Sequence, residues 1–192
     1  KLSIRESIIS GYETIYTWGR RSHESNSQVF KIENNFLLKN FVNKRKGLIA
    51  VAIHNRSVDM LLRWLNSNFV TVSLYKKIKI NVLDRFVKRE REAGGSKSIE
   101  TSIHGVRKIL KALMSKEIIC FAADQVPQRG HGEYIKFYNR EAYSTTLVQS
   151  LATKTNASVL YFYLNSNKGG FLSISLKPCS DDIYNDSKHK LL

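Results

Sequence analysis

Cysteine is nearly absent from this chain. Cys120 and Cys179 are the two in 192 residues, too few for a disulfide framework. Cys120 sits inside the apolar run Ile118-Ile-Cys-Phe-Ala-Ala123, where a reduced, buried thiol is expected. Long apolar runs are missing as well. None approaches the ~18 residues that a membrane span needs, and no secretory leader pattern is visible. The reduced thiol suits a cytoplasmic setting, and the lack of a span applies to this chain only. The chain opens without Met and stops abruptly at Lys188-His-Lys-Leu-Leu192, so it reads as a fragment or as a chain with parts missing. The histidines are scattered, at 23, 54, 104, 131 and 189. No two have the spacing of metal ligands, so no metal site is expected. No glycine-rich loop precedes a helix, so no nucleotide cofactor is implied. Internal repeats and low-complexity tracts are lacking too.

Acidic residues are also scarce. Sixteen Asp and Glu stand against 31 Lys and Arg, a formal net charge of +15. Such an excess calls for an anionic partner: nucleic acid, an acidic protein, or a membrane surface with phosphate headgroups. A hydrophobic share of 42% is enough for one globular domain, 1–192, with a sizeable core.

The pattern of elements is that of an α/β layered fold, a mostly parallel central sheet flanked by helices. Residues 1–19 form an amphipathic helix with Ile4, Ile8, Tyr12, Ile15 and Tyr16 on one face. That face is read as an ordinary core contact, with lying on a membrane as the alternative. Segment 20–46 is polar and basic, with short apolar patches at 29–32 and 36–38. A buried strand spans Gly47 to Ile53, a helix Ser57 to Asn66, and an alternating strand Phe69 to Tyr75. A strongly basic helix covers 80–92 and stops at Ala93-Gly-Gly95. Ile99 is a short extended piece. A helix from Ser102 to Ser115 leads into a third buried strand, Glu117 to Ala123. Residues Tyr143 to Thr155 are expected as helix, Ser158 to Leu164 as strand, and Phe171 to Leu176 as its antiparallel neighbour across 165–170.

In such sheets, sites form outside the carboxyl ends of strands. Two strand ends here carry polar residues: His54 after the first buried strand, and Asp124-Gln125 after the third. His54 is followed five residues later by Asp59, where a helix begins. A histidine fixed at a strand end, with a carboxylate turned back to its second nitrogen, is a compact general base that can take a proton from a hydroxyl near neutral pH. The plainer reading makes Ser57 an N-cap and Asp59 a first-turn acid.

The order of these features resembles the bacterial lipid A biosynthesis acyltransferases, the late lauroyl and myristoyl transferases of lipopolysaccharide assembly in the lysophospholipid acyltransferase superfamily. The resemblance runs from about Ile4 to Leu176. It rests on His54…Asp59, Arg89-Glu-Arg91, Ala123-Asp-Gln125, Gly130-His-Gly132, Phe137-Tyr138, and Thr145-Thr146 before Leu151-Ala152. Related glycerolipid acyltransferases carry a Pro-Glu-Gly type block where this chain has Ala123-Asp-Gln-Val-Pro-Gln128. Departures exist. Asn55-Arg-Ser-Val58 replaces a usual Gly, Asn and aromatic, the acid is Asp59 rather than Glu, and Asn139 stands where Gly is usual. The family's N-terminal membrane helix and Arg-rich C-terminal segment are missing from the chain.

What the resemblance implies is transfer of a fatty acyl chain from an acyl carrier protein thioester to a hydroxyl of a lipid A precursor, at the cytoplasmic face of the bacterial inner membrane. His54 and Asp59 would form the base dyad. Arg91, or its neighbour Arg89, would meet the charge on the thioester oxygen, and Arg89, Asp124 and Gln125 would line the substrate site. Asp124 has a plainer role as a strand-end acid pairing with Arg91 or capping the next turn. The basic stretch Lys76-Lys77, Lys79, Arg85, Lys88, Arg89 and Arg91 would meet the acidic carrier and the headgroups. The alternatives are an acyltransferase of the same superfamily with another phospholipid or glycolipid acceptor, and a basic nucleic-acid-binding module. No zinc spacing, basic-plus-heptad run or RNP-type strand supports the latter, so no nucleic acid is expected.

Overall fold

Continuous apolar strands need cover on both faces, and they have it in the computed structural model, which describes residues 2–19, 29–44, 46–166 and 172–185. Strand β2 (Leu48–Ala52) is buried throughout. Its even-numbered residues join one core with helix α2 (Phe36–Lys44) and helix α3 (Val58–Asn68). Ile49 and Val51 join a second core with helix α5 (Ile103–Met114) and helix α6 (Leu147–Thr155). Each fully buried Leu, Ile or Val contributes about 1.5–3 kcal/mol relative to exposure.

The seven-stranded sheet runs β1-β9-β8-β2-β5-β3-β4. Its other strands are β1 (Val29–Glu33), β3 (Thr71–Tyr75), β4 (Lys97–Glu100), β5 (Ile118–Ala122), β8 (Ser158–Ser166) and β9 (Leu172–Pro178). Strands β8, β2, β5, β3 and β4 are mutually parallel, β9 is antiparallel to β8, and β1 runs parallel to β9. This is the mixed, mostly parallel sheet expected. The turn expected between β8 and β9 lies outside the described residues at 167–171, as do His23 and His189.

The basic helix, α4, spans Asn81–Arg91 and leads into a 3-10 turn at Ala93–Gly95. Ser102 caps α5 by accepting from the Gly105 amide at 3.0 Å. Gly105 packs so tightly on β4 that a Cβ there would stand 2.1 Å from the Glu100 carbonyl oxygen, so no larger residue fits without a shift.

The short apolar patches at 29–32 and 36–38 lie in strand β1 and helix α2, which gain their partners only across the sheet edge. Two expectations are corrected. Residues 143–145 are not helix. Strands β6 (Gly132–Phe137) and β7 (Arg140–Thr145) form a separate antiparallel hairpin, and α6 starts only at Leu147. Tyr138 and Asn139 turn it with φ of 48° and 62°, the left-handed pair that a two-residue hairpin turn requires. Asn tolerates that region better than most residues, which accounts for Asn139 where Gly is usual.

The other correction concerns helix α1 (Leu2–Gly19). Its stripe Ile4, Ile8, Tyr12 and Ile15 faces solvent, 67 to 70% exposed, while Glu13 and Thr17 are buried. Tyr16 alone of the expected face packs against the core.

Candidate active site

Strands β2 and β5 pair in register, Ala52 opposite Ala122. Two residues further on each, His54 and Asp124 are therefore level with one another at the carboxyl edge. The Asp124 carboxylate holds His54 at two points. Oδ2 accepts the His54 backbone N–H at 2.7 Å, and Oδ1 lies 2.6 Å from ring Nδ1. A carboxylate only accepts, so Nδ1 carries the proton and the Nε2 lone pair faces outward. Gln125 Nε2 lies 3.4 Å from that nitrogen. The side chains are 42% and 32% exposed, open to a substrate from outside the sheet edge.

The topology explains why the opening falls here. The helix leaving β2, α3, covers one face of the sheet, and the helix leaving β5 by way of the hairpin, α6, covers the other. The two exits thus lead to opposite faces from adjacent strand ends, the usual place for a site in an open α/β sheet.

Asp59 does not meet His54. Ser57 N-caps α3, accepting from the Met60 amide at 3.3 Å, and the first turn of the helix aims Asp59 at α4. There it accepts two hydrogen bonds from Arg91, Nε to Oδ1 at 2.6 Å and the Nη2 amine to Oδ2 at 3.1 Å. Their side chains are only 10% and 19% exposed. Arg63 donates to Glu90 at 3.1 Å and the Asn66 amide to the Arg91 carbonyl at 2.7 Å, so α3 and α4 share a continuous polar seam. Burial holds the Arg63 guanidinium below its usual range, against the pull of Glu90 and Asp59. The Arg91 guanidinium also lies over the Tyr75 ring, 6.0 Å from its centroid. Asp124 does not pair with Arg91. Arg89 points outward, 74% exposed, and lies over the Phe86 ring. Among the described residues, neither arginine is hydrogen-bonded to His54 or Asp124.

The residues between His54 and Asp59 each have partners. The Asn55 side-chain amide donates to the Leu164 carbonyl at the end of β8, at 2.7 Å. Arg56 donates to Glu13 of α1 through Nε at 3.1 Å and through an Nη2 contact, and to Glu6 at 3.3 Å. The Glu13 carboxylate holds the Arg56 guanidinium above its usual range. The Ser57 hydroxyl meets Thr14 Oγ1 at 2.8 Å, and its amide donates to Glu13 at 3.4 Å. Val58 packs against the core. None of these partners is near in sequence, so no local pattern announced them.

The hairpin was also missed as structure. Tyr143 on β7 accepts at its hydroxyl from the Gly130 and Gly132 amides, at 2.9 and 3.0 Å, fixing the loop that follows Gln125. His131 is exposed in that loop. Thr145 accepts from the Leu147 amide at 3.2 Å, closing the hairpin onto α6.

The fold is an α/β layered domain with a carboxylate-held imidazole at the carboxyl edge of its mostly parallel sheet. The family model described as bacterial lipid A biosynthesis acyltransferase matches residues 3–191, nearly the whole chain, and the protein belongs to that family. It is accordingly an acyltransferase of lipid A biosynthesis. No curated protein matches the chain.

Proposed function

We propose that the protein moves a fatty acyl chain from an acyl carrier protein thioester to a hydroxyl of a lipid A precursor, with His54 as general base and Asp124 as the carboxylate that orients it. The two-point hold of Asp124 on His54 carries this reading. In the reaction, Nε2 takes the acceptor hydroxyl proton as the oxygen attacks the thioester carbon. Asp124 stabilises the imidazolium through Nδ1–H. The C–S bond then breaks, and the imidazolium returns its proton to the departing carrier thiolate. No covalent enzyme intermediate is required. Negative charge that builds on the thioester oxygen needs a donor held nearby, and the Gln125 side-chain amide beside Nε2 supplies one.

Arg91 is assigned a different part from the one its motif suggests. Its guanidinium is committed to Asp59, so the pair acts by fixing the start of α3, and with it the loop that carries His54. Arg89, exposed on the same helix beside Glu90 and the Phe86 ring, is placed to meet substrate phosphate. The basic stretch from Lys76 to Arg91 suits both an acidic carrier and an anionic headgroup layer. We place the reaction at the cytoplasmic face of the bacterial inner membrane, where a soluble carrier and a membrane-held acceptor meet.

The test is acyl transfer with purified chain, acyl-loaded carrier and a lipid A precursor, the product read by mass spectrometry. His54→Ala is expected to lower the rate about 10²–10⁴-fold, the usual worth of a positioned base. A His54→Ala protein that transfers at the wild-type rate ends the assignment.

A further inference from the structure

An amphipathic helix normally turns its apolar stripe inward. Helix α1 does the reverse. Ile4, Ile8, Tyr12 and Ile15, at helical spacing, face solvent, while Glu13 and Thr17 are buried beside Tyr16. The buried side cannot release the helix to roll over. Glu13, 10% exposed at its side chain, is bound to Arg56, 11% exposed, and also accepts from the Ser57 amide. Thr14 holds the Ser57 hydroxyl, and Glu6 reaches Arg56 as well. Rolling the stripe inward would break these contacts and leave buried charges unpaired, a heavy cost.

Three observations select what covers the stripe. The helix is not long and apolar enough to cross a membrane, so a lipid surface would meet it only along its side. The chain carries +15, with Lys76, Lys77 and Lys79 at the carboxyl end of β3, so an anionic surface is electrostatically matched. At the same strand end, Ile80 and Val82 stand 64 and 70% exposed; a bilayer there would cover apolar and basic residues together.

We propose that α1 lies on an anionic bilayer through Ile4, Ile8, Tyr12 and Ile15, and that its Glu13–Arg56 tie holds the His54 loop at a fixed position relative to that surface. Arg56 is then a positioning residue. It lies two residues after His54, and its partner Glu13 is on the helix that touches lipid. This inference rests on the lipid-acceptor reading above and gives Arg56 and Ser57, the two residues of that loop tied to α1, a common purpose.

Two measurements decide it, both independent of acyl transfer. The first is co-sedimentation with phosphatidylglycerol-containing vesicles and, separately, with pure phosphatidylcholine vesicles. Wild type should bind the anionic vesicles. The triple change Ile4→Ser, Ile8→Ser, Ile15→Ser, all at exposed positions, should weaken partitioning by about tenfold or more, since each removes apolar area from the interface. The second is amide hydrogen exchange. Anionic vesicles should slow exchange about fivefold or more in α1 and also at 54–57 in wild type. In Glu13→Gln, protection should persist in α1 and vanish at 54–57. Equal partitioning of triple variant and wild type overturns the seat. So does a wild-type dimer that the triple change converts to monomer while vesicle binding is unaltered, because the stripe would then be a contact between copies. Protection at 54–57 that survives Glu13→Gln overturns the tie. Wild type that binds vesicles but transfers no acyl group leaves this inference standing and removes the reaction assignment instead.

Discussion

Two acidic residues flank the same histidine in the chain's logic, and the fold treats them in opposite ways. Asp59 is five residues from His54 and lies in a buried seam, held by Arg91. Asp124 is 70 residues away and grips His54 at its backbone and its ring. The difference comes from register. Parallel neighbours β2 and β5 place residues 54 and 124 at the same level, whereas the turn and cap between 54 and 59 rotate the nearer carboxylate towards α4. Closeness along the chain governs which helix begins where. Closeness across a sheet governs which groups share a proton.

The sharpest way to break this contrast is to neutralise each carboxylate without changing its shape. Asp124→Asn should lower the rate of acyl transfer about 10²–10³-fold, because the amide no longer fixes the Nδ1–H tautomer or supports the imidazolium. Asp59→Asn should cost less than about tenfold at a temperature where the protein is folded, since it reaches His54 only through the start of α3. Rates measured for both, beside melting curves, check this. A larger loss for Asp59→Asn than for Asp124→Asn would reverse the two assignments.

Stability should show the reverse ranking. Arg91→Ala leaves the Asp59 carboxylate buried without its partner, a defect of about 3 kcal/mol, which lowers Tm by about 6–12 °C in a domain of this size. Asp124→Ala removes an exposed pair and should shift stability by less than about 1 kcal/mol. Between these lies Ser57→Ala. It deletes the N-cap of α3 and a contact with Thr14, and should cost about 1 kcal/mol. Denaturant unfolding of all three variants gives the order.

Much of this arrangement was legible in the linear chain. The buried strands were, because Leu48–Ala52 and Ile118–Ala122 are apolar without interruption. Helices α3, α4 and α5 were, because caps and glycine stops bracket them. That His54 and Asp124-Gln125 lie on one edge also followed from strand ends alone. Three things were not legible. Strand β1 and helix α2 owe their structure to β9 and the sheet core rather than to their own pattern. The hairpin hid its turn because Tyr138-Asn139 replaces the expected glycine. The orientation of α1 was misjudged because its stripe has ordinary core spacing. The buried Glu13–Arg56 pair, between residues 43 apart, and the Thr14–Ser57 contact hold that stripe outward.

The smallest effect is expected at Cys120, which lies in β5 four residues before Asp124. Burial pushes its thiol up to about 12, and Arg91 pulls only weakly the other way. The native thiol is therefore neutral and inert at ordinary pH, and it reacts only when the sheet opens. A folded pKa raised above the unfolded value, about 8.5, means its stabilising effect is complete below that pH and fades as pH rises from about 8.5 towards 12. At pH 8, alkylation of Cys120 followed by mass spectrometry thus reports opening. Asp124→Asn should leave that rate within about twofold of wild type, because an exposed pair at the strand end contributes little to global stability. Arg91→Ala should raise it about 10²-fold, matching the expected loss of about 3 kcal/mol. Fast labelling in Asp124→Asn would mean that the His54–Asp124 clamp holds the two strands together, and that the active edge and the buried seam are not the separate regions their geometry indicates.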